Sequence, residues 1–151
     1  MTKHRSSHQG RKKKSGPAPQ NKQEVATERD GRPFPVVGIG SSAGGLDTLK
    51  RFLSATPADS GMAFVLVQHL DPTHESLMVD LLGRHTTMKV VQIENDMPVE
   101  PNRVHVIPPG SSLTIRNGAL LLGKPIERHG MRMPVDKFFM SLAEDLQGNA
   151  V

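Results

Sequence analysis

Phe34-Pro35-Val36-Val37-Gly38-Ile39-Gly40-Ser41-Ser42-Ala43-Gly44-Gly45, running into Leu46-Asp47-Thr48-Leu49, is the stretch that decides the fold. Its first half, Phe34–Ile39, is a short apolar run rich in β-branched residues, the pattern of a strand buried on both faces. Its second half is glycine and serine, which break the strand. Leu46, Leu49, Phe52 and Leu53 then recur at helical spacing until Pro57, so a helix is expected over 46–55.

Working outward, the same alternation repeats. Ala63–Val67 (AFVLV) reads as a second buried strand, and His74–His85 as a helix with Leu77, Met78, Leu81 and Leu82 inward. Val90–Ile93 is a third strand. Val104–Ile107, Leu113–Ile115 and Ala119–Leu122 are short strands parted by Pro108-Pro109-Gly110 and by Asn117-Gly118, the latter a strong hairpin signal. Pro134 opens a last helix, Val135–Gln147, with Val135, Phe138, Phe139 and Leu142 on one stripe. Strand and helix in turn predict a doubly wound parallel α/β sheet, Rossmann-like and three-layered, with a small antiparallel insertion before the final helix. Only Gly148-Asn149-Ala150-Val151 follows that helix. Another core strand should begin there, so the domain is expected to be incomplete at its C-terminus.

Residues 1–32 differ from the rest. They hold nine Lys/Arg against three Asp/Glu, whereas 33–151 hold ten against twelve. The positive charge therefore belongs to the first segment, which lacks bulky apolar groups and is expected to be a disordered basic tail. A nucleic-acid-binding domain would carry that charge on its folded face, so no nucleic-acid partner is expected. No run approaches the ~20 apolar residues that span a bilayer, so membrane insertion is not expected. Cysteine is absent, which removes disulfides and thiolate sites and fits a cytoplasmic location.

Chemistry concentrates at the glycine-serine turn. Gly40-x-Ser42-x-Gly44 has the form of a nucleophile elbow, a sharp strand-to-helix turn that exposes a serine hydroxyl. The glycines would permit a tight backbone and leave space for substrate. Amides of Ala43, Gly44 and Gly45, at the start of the helix, could hold a developing oxyanion. Ser41 is read as a supporting neighbour. The same stretch also satisfies a permissive dinucleotide fingerprint, Gly38-x-Gly40-x-x-Ala43, but the second strand ends in Gln68-His69 where such a site wants an acid.

His69 sits at the carboxyl end of the second strand as Ser42 does at the first. Adjacent parallel strands lie about 4.8 Å apart, so the two side chains can come within proton-transfer reach. Serine is a weak nucleophile until a base accepts its proton. Asp71 is expected to turn the loop and Asp136 to serve the dipole of the last helix, which leaves no residue here as the orienting acid. No spacing suggests a metal site or a cofactor.

VVGIGSSAGG (36–45), VLVQHL (65–70), MPVEPNRVHVIPPG (97–110) and MRMPVDKFF (131–139) occur in that order. Through them the chain from Phe34 to Val151 resembles the catalytic domain of the CheB-type chemotaxis protein-glutamate methylesterases, in the form fused to receptor methyltransferase and sensory modules. The resemblance implies a Ser-His-Asp hydrolase that removes methyl esters from glutamyl side chains of methyl-accepting chemotaxis receptors, some members also deamidating glutamines. It implies Ser42 as nucleophile and His69 as base. The family's triad aspartate lies in an Asp-Gly motif that no residue here matches. Only the basic tail stands where the family's phosphorelay receiver domain would be, and Ala43 stands where threonine is frequent. Two other readings remain open: a non-catalytic fragment that docks on receptors or a partner domain, and a nucleotide-binding domain.

Overall fold

A computed structural model describes residues 33–68, 77–124, 127–128, 131–132 and 134–151. Four strands form one parallel sheet: β1 (Val36–Ser41), β2 (Ala63–Gln68), β3 (Lys89–Gln92) and β5 (Arg103–Val106), in the order β1-β2-β5-β3. β4 (Met97–Pro98), β6 (Ser112–Arg116) and β7 (Ala119–Gly123) make a separate antiparallel sheet in the order β4-β7-β6. β8 (Glu127–Arg128) and β9 (Met131–Arg132) pair with each other. The helices are α1 (Leu46–Ala55), α2 (Met78–Gly83) and α3 (Pro134–Leu146). This is the expected α/β architecture, including the antiparallel insertion.

Period-two alternation in the strands sorts side chains between two cores. Phe64 and Leu66 of β2 and Val104 and Val106 of β5 pack with Leu49 and Leu53 of α1 and Leu82 of α2. Ala63, Val65 and Val67, on the opposite face of β2, pack with Phe138 and Leu142 of α3 and with Leu113, Ile115 and Leu120 of the small sheet. β2 is buried along its whole length, which is why its sequence is apolar from Ala63 to Val67. α1 and α2 thus cover one face, and α3 with the antiparallel sheet covers the other.

Differences from the sequence reading are local. β1 starts at Val36 instead of Phe34 and runs on through the glycines to Ser41, because its ladder with β2 continues to Gly40↔Val67 and Ser41↔Gln68. α2 ends at Gly83, before the expected His85. Met78 and Leu82 are its buried residues, whereas Leu77, expected inward, precedes the helix and is 64% exposed. Phe52, also expected inward, is 42% exposed and meets Phe64 edge-on across 5.9 Å. The residue positions 1–32 and 69–76, including the expected tail and the start of the second helix, lie outside the described residues.

After α3 the chain reaches the outer edge of β1. Val151 N–H donates to the Val36 carbonyl at 3.0 Å, and Gly38 N–H donates to the Val151 carbonyl at 2.9 Å. Ala150 therefore bridges Val36 in parallel. The last two residues take the position that the strand-helix rhythm assigns to a further strand.

Candidate active site at the end of β1

Glycine in β1 is a packing device. A Cβ on Gly38 would stand 2.8 Å from Phe139 Cε1 and 3.0 Å from Leu142 Cδ2, and one on Gly40 would stand 2.9 Å from Val135 Cγ1. Both glycines let α3 lie close against the strand. Gly40 was expected to leave room for a substrate; that room is taken by α3. The dinucleotide reading weakens on the same ground, since its first two glycines lie within β1 beneath a helix.

Beyond Ser41 the strand turns through a single 3-10 turn, Ala43–Gly45, into α1. Ser42 is exposed and caps that turn in an extended conformation, φ −102° and ψ 173°, with no capping bond from its side chain. The expected exposure of the hydroxyl is present. The backbone strain of a nucleophile elbow is absent, because the 3-10 turn spreads the reversal over three residues.

Three donors converge on the carbonyl of Ser42. Gly45 N–H donates to it at 2.9 Å, Ser41 Oγ at 3.1 Å and Gln68 Nε2 at 3.1 Å. A carbonyl has two lone pairs, so this peptide group is held more firmly than turn geometry requires. Gly45, named above as an oxyanion donor, has spent its amide on this bond. Gly44 is open, with nothing within 4 Å of the place a Cβ would occupy.

Gln68 escaped the sequence reading. It is 5% exposed, and its Oε1 is buried without a hydrogen-bond partner among the described residues. An unsatisfied buried acceptor costs about 1–3 kcal/mol. The signal for it was present: AFVLVQ ends in the one polar residue of an otherwise apolar strand.

β1 and β2 run parallel with Ser41 opposite Gln68, so Ser42 leaves the sheet beside the strand that leads to His69. His69 and Asp71 lie outside the described residues. Asp136 is exposed in the first turn of α3, the place expected for a carboxylate that complements the helix dipole. Beside Ser42 an open cleft of about 460 Å³ runs between β1 and α1, walled by Ile39, Thr48, Leu49 and Phe52. Val37, Ile39, Leu49 and Phe52 give it apolar walls, and Ser41, Ser42 and Thr48 also line it.

His105 is the other buried polar group of note. It is 1% exposed in the middle of β5, with Nδ1 3.2 Å from the Phe64 carbonyl. Burial pushes its pKa below the ordinary 6.5, aided by the charge of Arg103 and opposed by the Phe64 hydrogen bond and Glu100. It is a structural histidine of the sheet, held on the Phe64 carbonyl. Among the described residues no group of His, Asp and Glu could hold a metal ion.

The family model described as CheB methylesterase matches residues 37–151, most of the chain. The chain belongs to the CheB methylesterase family. A protein-glutamate methylesterase/protein-glutamine glutaminase of Xanthomonas oryzae pv. oryzae is 34% identical over 122 residues, covering 77% of this chain and 33% of that protein. An uncharacterized 104.1 kDa protein of Rhodobacter capsulatus is 38% identical over 74 residues, 49% of this chain and 8% of that one. The crystal structure of the Thermotoga maritima CheB methylesterase catalytic domain superposes with a TM-score of 0.64 at 26% identity, covering 78% of this chain and 64% of that one. The chain spans about a third of the length of the Xanthomonas methylesterase it matches.

Proposed function

We propose that this chain carries the nucleophile and base of a protein-glutamate methylesterase. The observation that carries the reading is Ser42: exposed, its hydroxyl making no capping bond, beside a cleft, at the end of a strand whose parallel neighbour leads into His69. In the proposed reaction His69 takes the Ser42 proton as Oγ attacks the glutamyl ester carbonyl. The amides of Ala43 and Gly44 hold the oxyanion, Gly45 being engaged elsewhere. The tetrahedral intermediate collapses, breaking the C–OCH₃ bond, and His69 gives the proton to the departing methanol. Water, deprotonated by His69, then cleaves the acyl-serine and restores the hydroxyl. Attack on a glutamine side chain with ammonia leaving would give deamidation by the same steps, which fits the double name of the Xanthomonas relative. The steps require no cofactor.

The substrates in this reading are methyl-accepting chemotaxis receptors on their cytoplasmic side. No helix among the described residues is long and apolar enough to cross a membrane. A receptor methyltransferase, fused or separate, is the proposed working partner; the Rhodobacter relative, of which the matched stretch is 8%, supports a fused setting. No residue of the sequence matches the motif of the family's triad aspartate, so turnover by this chain alone is expected to be slow. Loss of one triad member typically costs on the order of 10⁴ in kcat.

A fluorophosphonate probe followed by peptide mass mapping tests the reading despite slow turnover. The expected result is one adduct, on Ser42, absent from Ser42→Ala and slowed in His69→Ala. Labelling that proceeds at the same rate in Ser42→Ala would overturn it.

A further inference from the structure

The geometry points to Gln68 as a positioning residue that aims the amide of Ala43 at the oxyanion, an inference that rests on the hydrolase reading of Ser42. Gln68 Nε2 reaches the Ser42 carbonyl from the neighbouring strand, 26 residues away in sequence. That carbonyl belongs to the same planar peptide group as the Ala43 N–H. No peptide bond in the described residues is cis, and in a trans peptide the carbonyl and the following N–H point in opposite directions. Fixing the Ser42 carbonyl on the side of Gln68 therefore fixes the Ala43 N–H on the side away from it. The amide of the residue after a nucleophilic serine is a donor that oxyanion holes use in strand-turn-helix sites.

Two further observations favour a positioning role over simple packing. Gln68 is buried with its Oε1 unpartnered among the described residues; leucine or methionine would fill the same volume without burying an orphan acceptor. The amide orientation is also dictated by chemistry, since turning it over would set Oε1 against the carbonyl oxygen. Gly45 N–H and Ser41 Oγ already satisfy the Ser42 carbonyl, so the Gln68 bond adds orientation where hydrogen-bond demand is already met.

The test is the kinetics of Ser42 labelling by a fluorophosphonate in the full chain, comparing wild type with Gln68→Met and Gln68→Asn. Phosphonylation passes through a species with a developing oxyanion, whereas the initial encounter does not. Misaiming a donor by about 1 Å can cost on the order of 10²-fold. Gln68→Met is expected to lower the maximal labelling rate by about 10- to 100-fold while the half-saturating probe concentration stays within about twofold. Gln68→Asn, which keeps an amide on a shorter arm, should recover part of the loss. The pH midpoint of labelling should not move. Equal rates in wild type and Gln68→Met would overturn the inference, as would a loss confined to probe affinity or a shifted pH midpoint, which would make Gln68 a partner of the base. Were wild type itself unlabelled at Ser42, the hydrolase reading would fall and the inference with it. If Gln68→Met does not fold, the crystal structure of the wild-type phosphonate adduct decides. The phosphoryl oxygen must then lie within about 3.1 Å of Ala43 N with Gln68 Nε2 still on the Ser42 carbonyl; any other arrangement overturns the inference.

Discussion

Gly40→Ala separates two roles that a glycine beside the exposed serine turn can play. A Cβ at position 40 would come to 2.9 Å from Val135 Cγ1 and 3.4 Å from Phe139 Cε2. Both neighbours belong to α3 and pack against the core formed around Phe138 and Leu142, so relief requires a shift of the helix or an unfavourable rotamer. Overpacking of this kind costs about 1–3 kcal/mol. Replacing glycine by alanine returns about 0.4–1 kcal/mol by restricting the unfolded chain, leaving a net loss of about 1–2 kcal/mol. One kcal/mol moves Tm by about 3–5 °C in a domain of this size, so a fall of about 3–10 °C is expected. Val135→Ala removes the atom in the way. Alone it should cost about 1 kcal/mol as a half-buried truncation, but the double variant should be more stable than the sum of the two by about 1 kcal/mol. Urea denaturation of the four proteins measures this coupling. If the two losses add to within about 0.3–0.5 kcal/mol, Gly40 is not there for α3 and the packing argument fails.

Other expectations follow from single contacts. Folded-state depression of the His105 pKa means that the unfolded chain binds the proton more readily, so stability is full above about pH 6.5 and is lost as pH falls below it; in His105→Phe the urea midpoint should be flat through that window, and an unchanged slope would refute the assignment. Asp145 accepts the amides of Asn117 at 2.7 Å and Gly118 at 2.9 Å, clasping the β6–β7 turn to α3. Asp145→Ala should lower stability by about 1–2 kcal/mol in thermal denaturation, and no change would show the clasp to be idle. Gly83 ends α2 with nothing within 4 Å of the place a Cβ would occupy and without a left-handed φ. Gly83→Ala should therefore raise stability by about 0.5–1 kcal/mol, opposite in sign to Gly40→Ala; a decrease would contradict the open space assigned there.

Most of the fold was legible from its apolar runs. AFVLV leaves little choice but a buried strand, as β2 is, FPVVGI marks the strand beside it, and Pro134 announces the start of α3 through its preference for the first helical position. Two-residue strands such as Met97–Pro98 carry no periodicity, so β4 was invisible. Leu77 was misplaced because a helical count cannot tell whether a leucine is inside a helix or one step before it. The turn that exposes Ser42 was legible from local spacing alone. What surrounds it was less so. The grip of Gln68 on the Ser42 carbonyl and the approach of Val135 to Gly40 join residues far apart in the chain, and no local pattern encodes such meetings. The reading of Gly40 as space for a ligand failed for that reason: the sequence shows that room is needed, not who fills it.

The two flanks of β1 are held unequally. Among the described residues, one side of the strand is matched residue for residue with β2, and the other exchanges a pair of bonds with Val151. The serine is thus mounted on a beam riveted on the inside and tied on the outside at its far end from the hydroxyl. Slackening that tie, by trimming or crowding the final two residues, should be felt first as looseness in the beam, well before the buried interior gives way.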